Sequence, residues 1–376
     1  MLFDFEFENV YKALKNADKP IVIYGMGNGA DKVISEFDKR NIKISGVMAS
    51  DDFVRYQDFH GFTVSRQSDF EEKFGDFYIA LCFASSLKDV MAHIEEVNRA
   101  HPLLCPYVPV ISGEIIDDEY LAKNKEKIEL AYSLLCDKKS KEVFKGSLDF
   151  FYTGRIEYLS KITSNKSEAF QNILRLKDEN YLDLGAYDGD TIEEFLHYTD
   201  SYKNIVAVEP NYKNFEKLQK NIKNKDSLKA VKNCTIYNIG ISDKSGSMFV
   251  PKSGGRQSML SKALKDSSAL NITNKNQNST QTSNPASQRE IAVKSVDELN
   301  FNATYIKADI EGMEEKMLNG AKNTLKNKPK LNLAAYHKTD DFFNLILKIH
   351  SINPDYKFYL RKHPYIPCWD LNLYCI

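Results

Sequence analysis

Tyr181-Leu-Asp-Leu-Gly-Ala-Tyr-Asp-Gly-Asp-Thr191 runs directly into Ile-Glu-Glu-Phe-Leu196. A short apolar run, a turn on Gly185 and Gly189 and an amphipathic stretch read as strand, tight turn and helix. Glycine lets backbone take positive φ or pass close to a ligand. The helix start that follows offers free N–H groups. The next apolar run, Asn204-Ile-Val-Ala-Val-Glu-Pro210, reads as a second strand ending in an acid. Together these form the opening of a Rossmann-like sheet. The expected fold class is α/β.

Asp183, Asp188 and Asp190 make the turn acidic. That is wrong for gripping a phosphate and suits a ligand that carries a cation. Glu209 stands where an acid takes both hydroxyls of a ribose. A cationic, ribose-containing ligand without phosphate points to S-adenosylmethionine (SAM). The candidate cofactor residues are Asp183, Gly185, Tyr187, Asp188, Gly189, Asp190, Thr191, Glu209, Asn211 and Gly240.

At 376 residues the chain is long enough for two domains with sizeable cores. Its formal net charge of -1 demands no basic surface, which argues against a nucleic-acid partner. Cys82, Cys105, Cys136, Cys234, Cys368 and Cys375 lack metal-type spacing and read as free thiols in a reducing compartment. The start, Met1-Leu-Phe-Asp-Phe-Glu-Phe-Glu, has no basic region or long apolar core, and no later run is long enough to span a bilayer. A cytoplasmic protein is expected.

Residues 1–112 form a smaller N-terminal Rossmann-like α/β domain in this reading. Ile21-Val-Ile-Tyr24 leads into the glycine turn at 25–29 and a helix through Phe37. A strand at 42–47 ends near Asp51 and Asp52, and Phe77-Tyr-Ile-Ala-Leu-Cys-Phe83 is a further buried strand. Such a domain either binds a nucleotide or only packs and self-associates, and both readings stay open. Residues 113–178 show apolar positions at three-and-four spacing and read as a helical connector. Residues 179–376 read as the SAM-dependent domain. A low-complexity insertion at 251–288, rich in Ser, Asn, Thr and Gln, is expected to be a mobile surface loop. Beyond it come a strand at 303–308, a helix at 313–325, a strand at 330–335 and a closing antiparallel hairpin of 356–361 with 371–376.

Four segments carry a resemblance: Tyr181-Leu-Asp-Leu-Gly-Ala-Tyr-Asp-Gly-Asp190, Val208-Glu-Pro-Asn211, Ile239-Gly-Ile-Ser-Asp243 and Tyr305-Ile-Lys-Ala-Asp-Ile-Glu-Gly-Met-Glu314. They are similar to the successive motifs of the FkbM family of SAM-dependent O-methyltransferases. The resemblance implies a class I methyltransferase sheet, SAM as cofactor and transfer to hydroxyls of natural products or of sugars in surface and capsular polysaccharides. A sugar or nucleotide-sugar acceptor, a heptose among them, is the implied partner. The N-terminal domain lies outside the common family core, and the insertion departs from the family pattern.

In an open α/β sheet, ligands sit at the carboxyl ends of the strands. Asp183, Gly185 and Glu209 fall at the ends assigned to SAM. Asp309, Glu311 and His337 fall at the ends left for the acceptor. A sugar hydroxyl is a poor nucleophile and must lose its proton as it attacks. Two routes fit. Asp309 and His337, with Glu311 or Asp341, hold a divalent metal that lowers the hydroxyl's pKa, or His337 or Asp309 acts as a general base. Imidazole with carboxylate favours iron or manganese over magnesium. Glu311 alternatively caps the helix behind it. His363, beside Arg361, either reaches the cleft as a base or anion contact or, the favoured reading, belongs to a solvated surface, while Tyr365 and Trp369 either line an acceptor pocket or pack within the closing hairpin. Two other functions remain: an NAD-dependent sugar oxidoreductase using the 25–29 turn, and a non-catalytic sugar-nucleotide-binding scaffold. Tyr11 and Lys15 precede that turn and are misplaced for oxidoreductase chemistry.

Overall fold

The computed structural model describes residues 2–228, 231–252 and 288–376. Most of the expected 251–288 insertion therefore lies outside the described residues. The chain divides into two compact units. One joins Met1–Lys166 with Ala335–Leu347 and Lys357–Leu373, and the other joins Ser167–Ala334 with Lys348–Tyr356 and Tyr374–Ile376. No helix among the described residues is long and apolar enough to cross a membrane.

The first unit holds a six-stranded sheet. Its strands are β1 (Ile21–Tyr24), β2 (Gly46–Met48), β3 (Asp58–Phe59), β4 (Phe62–Ser65), β5 (Tyr78–Leu81) and β6 (Leu103–Leu104). The order is β3-β4-β2-β1-β5-β6, parallel apart from the β3–β4 pair. β1 is buried along its whole length, as an unbroken apolar run in a parallel sheet must be. The strand expected at 42–47 begins only at Gly46. Asn41, at φ 55, and Ile42, whose N–H donates to the Phe37 carbonyl, are spent on ending the preceding helix. The connector region becomes the helices Asp118–Leu134, Lys138–Thr153 and Glu157–Ile162. Asp117 and Asp137 cap the first two. Lys138–Thr153 is buried along most of its length, and Phe144 and Phe151 lie 5.1 and 5.5 Å from the Phe342 ring.

In the second unit, β7 (Glu179–Leu184), β8 (Tyr202–Val208) and β9 (Cys234–Tyr237) are followed by a small sheet of β10 (Gly240–Ile241), β11 (Gly246–Pro251) and β12 (Gln288–Lys294). Met248, Val250, Ile291 and Val293 form its own apolar cluster. β13 (Tyr305–Ala308) and β14 (Lys330–Ala334) complete a parallel sheet in the order β14-β13-β7-β8-β9. The single helix expected at 313–325 is two, Glu314–Asn319 and Lys322–Lys326. At the break the Gly320 carbonyl accepts the Asp297 N–H, and a Cβ on Gly320 would stand 2.4 Å from the Ser242 carbonyl oxygen.

The chain closes with β15 (Phe358–Lys362) and β16 (Leu371–Cys375), neighbours in one sheet. The connection is tied by the His363 N–H donating to the Asp370 carbonyl. The expectation of a solvated surface here is overturned. Arg361 is 2% exposed and His363 is fully buried. The Arg361 guanidinium is consumed by Asp137 at 2.7 Å and Ser140 at 2.9 Å, and His363 Nδ1 lies 2.8 Å from the Ser164 carbonyl oxygen.

Candidate active site

β7 comes first in the second unit yet lies in the middle of its sheet. The chain steps outward to β8 and β9, then returns to place β13 on the other side of β7. Such a reversal opens a crevice at the carboxyl ends of the two central strands. Gly185 lies there at φ 81, and a Cβ on it would fall 2.0 Å from the Asp309 carbonyl oxygen. Only glycine fits both the conformation and the approach. The Gly185 and Ala186 N–H groups donate to the Val208 carbonyl at 2.9 and 3.1 Å, folding the turn over the end of β8. Tyr187 at φ 47 and Gly189 at φ 99 complete it, and the helix Asp190–Tyr198 begins.

Glu209 is buried beside this turn. One carboxylate oxygen accepts the Tyr187 N–H at 2.9 Å and the other the Asn211 N–H at 2.8 Å. The acid thereby pins the turn to β8. The Asn214 side chain hydrogen-bonds the same carboxylate, an acceptor-only group when ionised. Burial pushes its carboxyl up to about 7, against the pull of the Asn211 and Tyr187 N–H groups, the Asn214 side chain and Lys307. Asp183 is fully enclosed and accepts from the Thr191 hydroxyl at 2.5 Å. Its other oxygen lies 3.6 Å from Lys307 Nζ. Burial raises the Asp183 carboxyl, while Lys307 and Thr191 draw it back.

Asp183, Gly185, Tyr187, Gly189, Thr191 and Glu209 are thus one connected group, with Asp188 and Asp190 on the same turn. Asp190 accepts the Thr191 N–H, and the Asp188 carbonyl takes the Asn221 amide. The Asn211 side-chain oxygen caps the helix Tyr212–Asn224 by accepting from Lys213 and Asn214. Gly240 is explained by packing in the small sheet, where a Cβ would meet Met248 Sδ at 2.6 Å. Lys307 escaped the residue-by-residue reading of the sequence. Its signal was a lone charge inside the apolar run Tyr-Ile-Lys-Ala.

After β13, Glu311 (φ 55) and Gly312 (φ 85) form a left-handed turn. Glutamate rarely adopts that conformation, and such outliers gather at functional turns. The helix beyond has Met313 as its N-cap, without a side-chain capping bond. Glu314, fully buried, accepts the Ile310 N–H at 3.0 Å. In the first unit, His337 is 1% exposed and its carbonyl accepts the Ile111 N–H at 2.9 Å. Thr339 N–H donates to Ser112, and a Cβ on Gly113 would stand 2.2 Å from Thr339 Oγ1. Asp341, also buried, accepts the Lys338 N–H at 2.8 Å. Residues 111–113 thus strap the stretch carrying His337.

The N-terminal glycine turn has packing reasons of its own. A Cβ on Gly29 would lie 2.3 Å from the Cys82 carbonyl oxygen, and one on Gly25 would lie 3.2 Å from the Phe83 ring.

The family model of the methyltransferase FkbM domain matches residues 183–365. The chain carries an FkbM methyltransferase domain. The family implies SAM as the methyl donor, and the turn and Glu209 lie at or within the matched span. A crystal structure of methyltransferase FkbM from Methylobacillus flagellatus KT is similar to the whole molecule. It has 20% sequence identity and a TM-score of 0.69, and the match covers 100% of this chain and 95% of that one. At that identity the likeness is one of fold. Precorrin-6y C5,15-methyltransferase from Geobacter metallireducens GS-15 gives 14% identity and a TM-score of 0.32 over 57% of this chain and 91% of its own. Spermidine synthase from Thermotoga maritima gives 12% and 0.29 over 53% of each. No curated protein matches the chain.

Proposed function

We propose that the chain is an O-methyltransferase that moves the methyl group of SAM to a hydroxyl of a sugar, either nucleotide-activated or part of a capsular polysaccharide. A heptose is one such acceptor. In this reading residues 179–376 carry the reaction, residues 113–178 connect, and residues 1–112 form a second α/β domain through which copies of the chain associate. The observation that carries the donor assignment is the Glu209 carboxylate, buried at the switch-point edge with the Tyr187 N–H on one oxygen and the Asn211 N–H on the other.

Oxygen as acceptor is supported by the chemistry at the neighbouring strand ends. β13 and β14 pair in parallel with Ala308 opposite Leu333. Asp309 and Glu311 follow the first strand in the chain, and His337 follows the second. Carboxylates and an imidazole hydrogen-bond a hydroxyl and can take its proton. The same donor set fits a divalent metal, iron or manganese better than magnesium, and a bound metal would lower the hydroxyl's pKa. Asp309, Glu311 and His337 would hold it. SAM supplies the electrophilic methyl, and the chain's own part is to orient the hydroxyl in line with it.

The test is transfer from labelled SAM to a panel of nucleotide sugars and glycans, with and without a chelator, the product's methylated atom being located by mass spectrometry and NMR. A methyl ether is expected. Chelation should abolish transfer while SAM still binds, and His337→Ala should mimic it and lose the metal seen by elemental analysis. A product methylated on carbon or nitrogen would overturn the O-methyl assignment. Full activity in metal-stripped protein would overturn the metal and leave His337 as a general base.

A further inference from the structure

We propose that Lys307 is a positioning residue for the methyl donor: its buried ammonium holds the Gly185 carbonyl and the Asp183 carboxylate in the arrangement that receives SAM. The inference rests on the reading that the 183–191 turn binds SAM. Lys307 lies on β13 directly opposite Asp183 on β7 and is 9% exposed. A lysine is buried at a large cost unless it is paired. Here Nζ donates to the Gly185 carbonyl at 3.0 Å and lies 3.6 Å from Asp183 Oδ1. That oxygen has no hydrogen-bond partner, while Thr191 serves the other one.

The need for a side-chain donor follows from the topology. The β7–β13 ladder ends with Leu184 opposite Ala308. One residue on, the Asp309 N–H is already committed to the Leu184 carbonyl. Gly185, at φ 81, lies one residue past the last ladder pair, and its carbonyl takes the Lys307 ammonium. The lysine supplies the missing donor from below. It also places a cation 3.6 Å from the Asp183 carboxylate, beneath an acidic turn. An acidic turn that must wait for a cationic ligand is thereby kept closed and shaped in the unliganded protein.

Calorimetric titration with SAM and with S-adenosylhomocysteine tests this. Lys307→Met should weaken both ligands by the same factor, about tenfold or more, the usual scale for losing a charge-assisted buried hydrogen bond. Lys307→Arg should recover part of the loss. Equal loss for both ligands is the mark of a residue acting through the turn. A lysine facing the sulfonium itself would instead repel SAM alone, and its removal would strengthen SAM relative to the sulfide. If Lys307→Met does not fold, Asp183→Asn/Lys307→Met compared with Asp183→Asn isolates the same factor without a buried, unpaired carboxylate. SAM affinity within about twofold of the parent in either comparison overturns the proposal, as does a selective gain for SAM. Parent protein that binds no SAM overturns the turn assignment itself. Parent binding that is lost in Glu209→Ala but kept in Lys307→Met overturns only the role of the lysine.

Discussion

Glu209 spends both oxygens on backbone N–H groups, and burial holds its carboxyl at about 7. Ribose hydroxyls donate to the ionised form, so SAM binding draws that pKa down. Affinity should be full above about pH 8 and decline as the pH falls through about 7. The unliganded fold responds with the opposite sign. An unfolded chain ionises glutamate near about 4.3, so between that value and about 7 the native state binds more protons and gains stability as the pH falls. Calorimetric titrations across this range check the first statement. Glu209→Gln should flatten the profile and weaken SAM by roughly 1–3 kcal/mol, and an unchanged dissociation constant would remove Glu209 from the site. Glu209 and Gly185 were legible in the sequence because strand-end acids and turn glycines have few other reasons to fall at that spacing. Lys307 was not, because its partners come from a strand more than a hundred residues earlier in the chain. Asn211 and Gly240 lie within family motifs, yet the Asn211 oxygen serves a helix start and Gly240 a tight packing contact.

Among the elements, the helix Lys138–Thr153 depends on its first residues. Asp137 accepts the Ser140 N–H at 2.7 Å and pairs with Arg361 at 2.7 Å. Burial opposes ionisation of its carboxyl, but Arg361 and Ser140 prevail and hold it below the usual range. The folded value lies below the unfolded one, so its stabilisation is complete above about pH 4 and is lost as the pH falls through the depressed pKa. Asp137→Ala removes a helix cap and strands a guanidinium that is 2% exposed. A loss of about 3–5 kcal/mol is expected in denaturant unfolding at neutral pH, and a loss below about 1 kcal/mol would mean that Arg361 finds another partner. β7, β8, β13 and β14 were readable as apolar runs because both faces of a parallel sheet are covered. β3 and β6, of two residues each, are too short to show any period. The break at Gly320 was hidden for a different reason: the groups packed against it, the Asp297 N–H and the Ser242 carbonyl, are distant in sequence.

At the scale of the whole molecule, the matched domain is not one of the compact units. Residues 335–347 and 357–365 lie within the matched span yet group with Met1–Lys166. The strap from residues 111–113 to the His337 stretch is one visible cause. A fragment of residues 179–376 should therefore lack a cooperative thermal transition and bind SAM poorly, although it contains the candidate residues. Near-ultraviolet circular dichroism during melting reads this, and a sharp transition in the fragment would show that the segment folds by itself. The same division bears on synthesis. A growing polypeptide folds as its parts emerge, early domains usually first. Here residues 1–166 are made while their unit still lacks two pieces, the later of them ending at Leu373. Those residues must therefore wait, incomplete, until synthesis has passed Leu373.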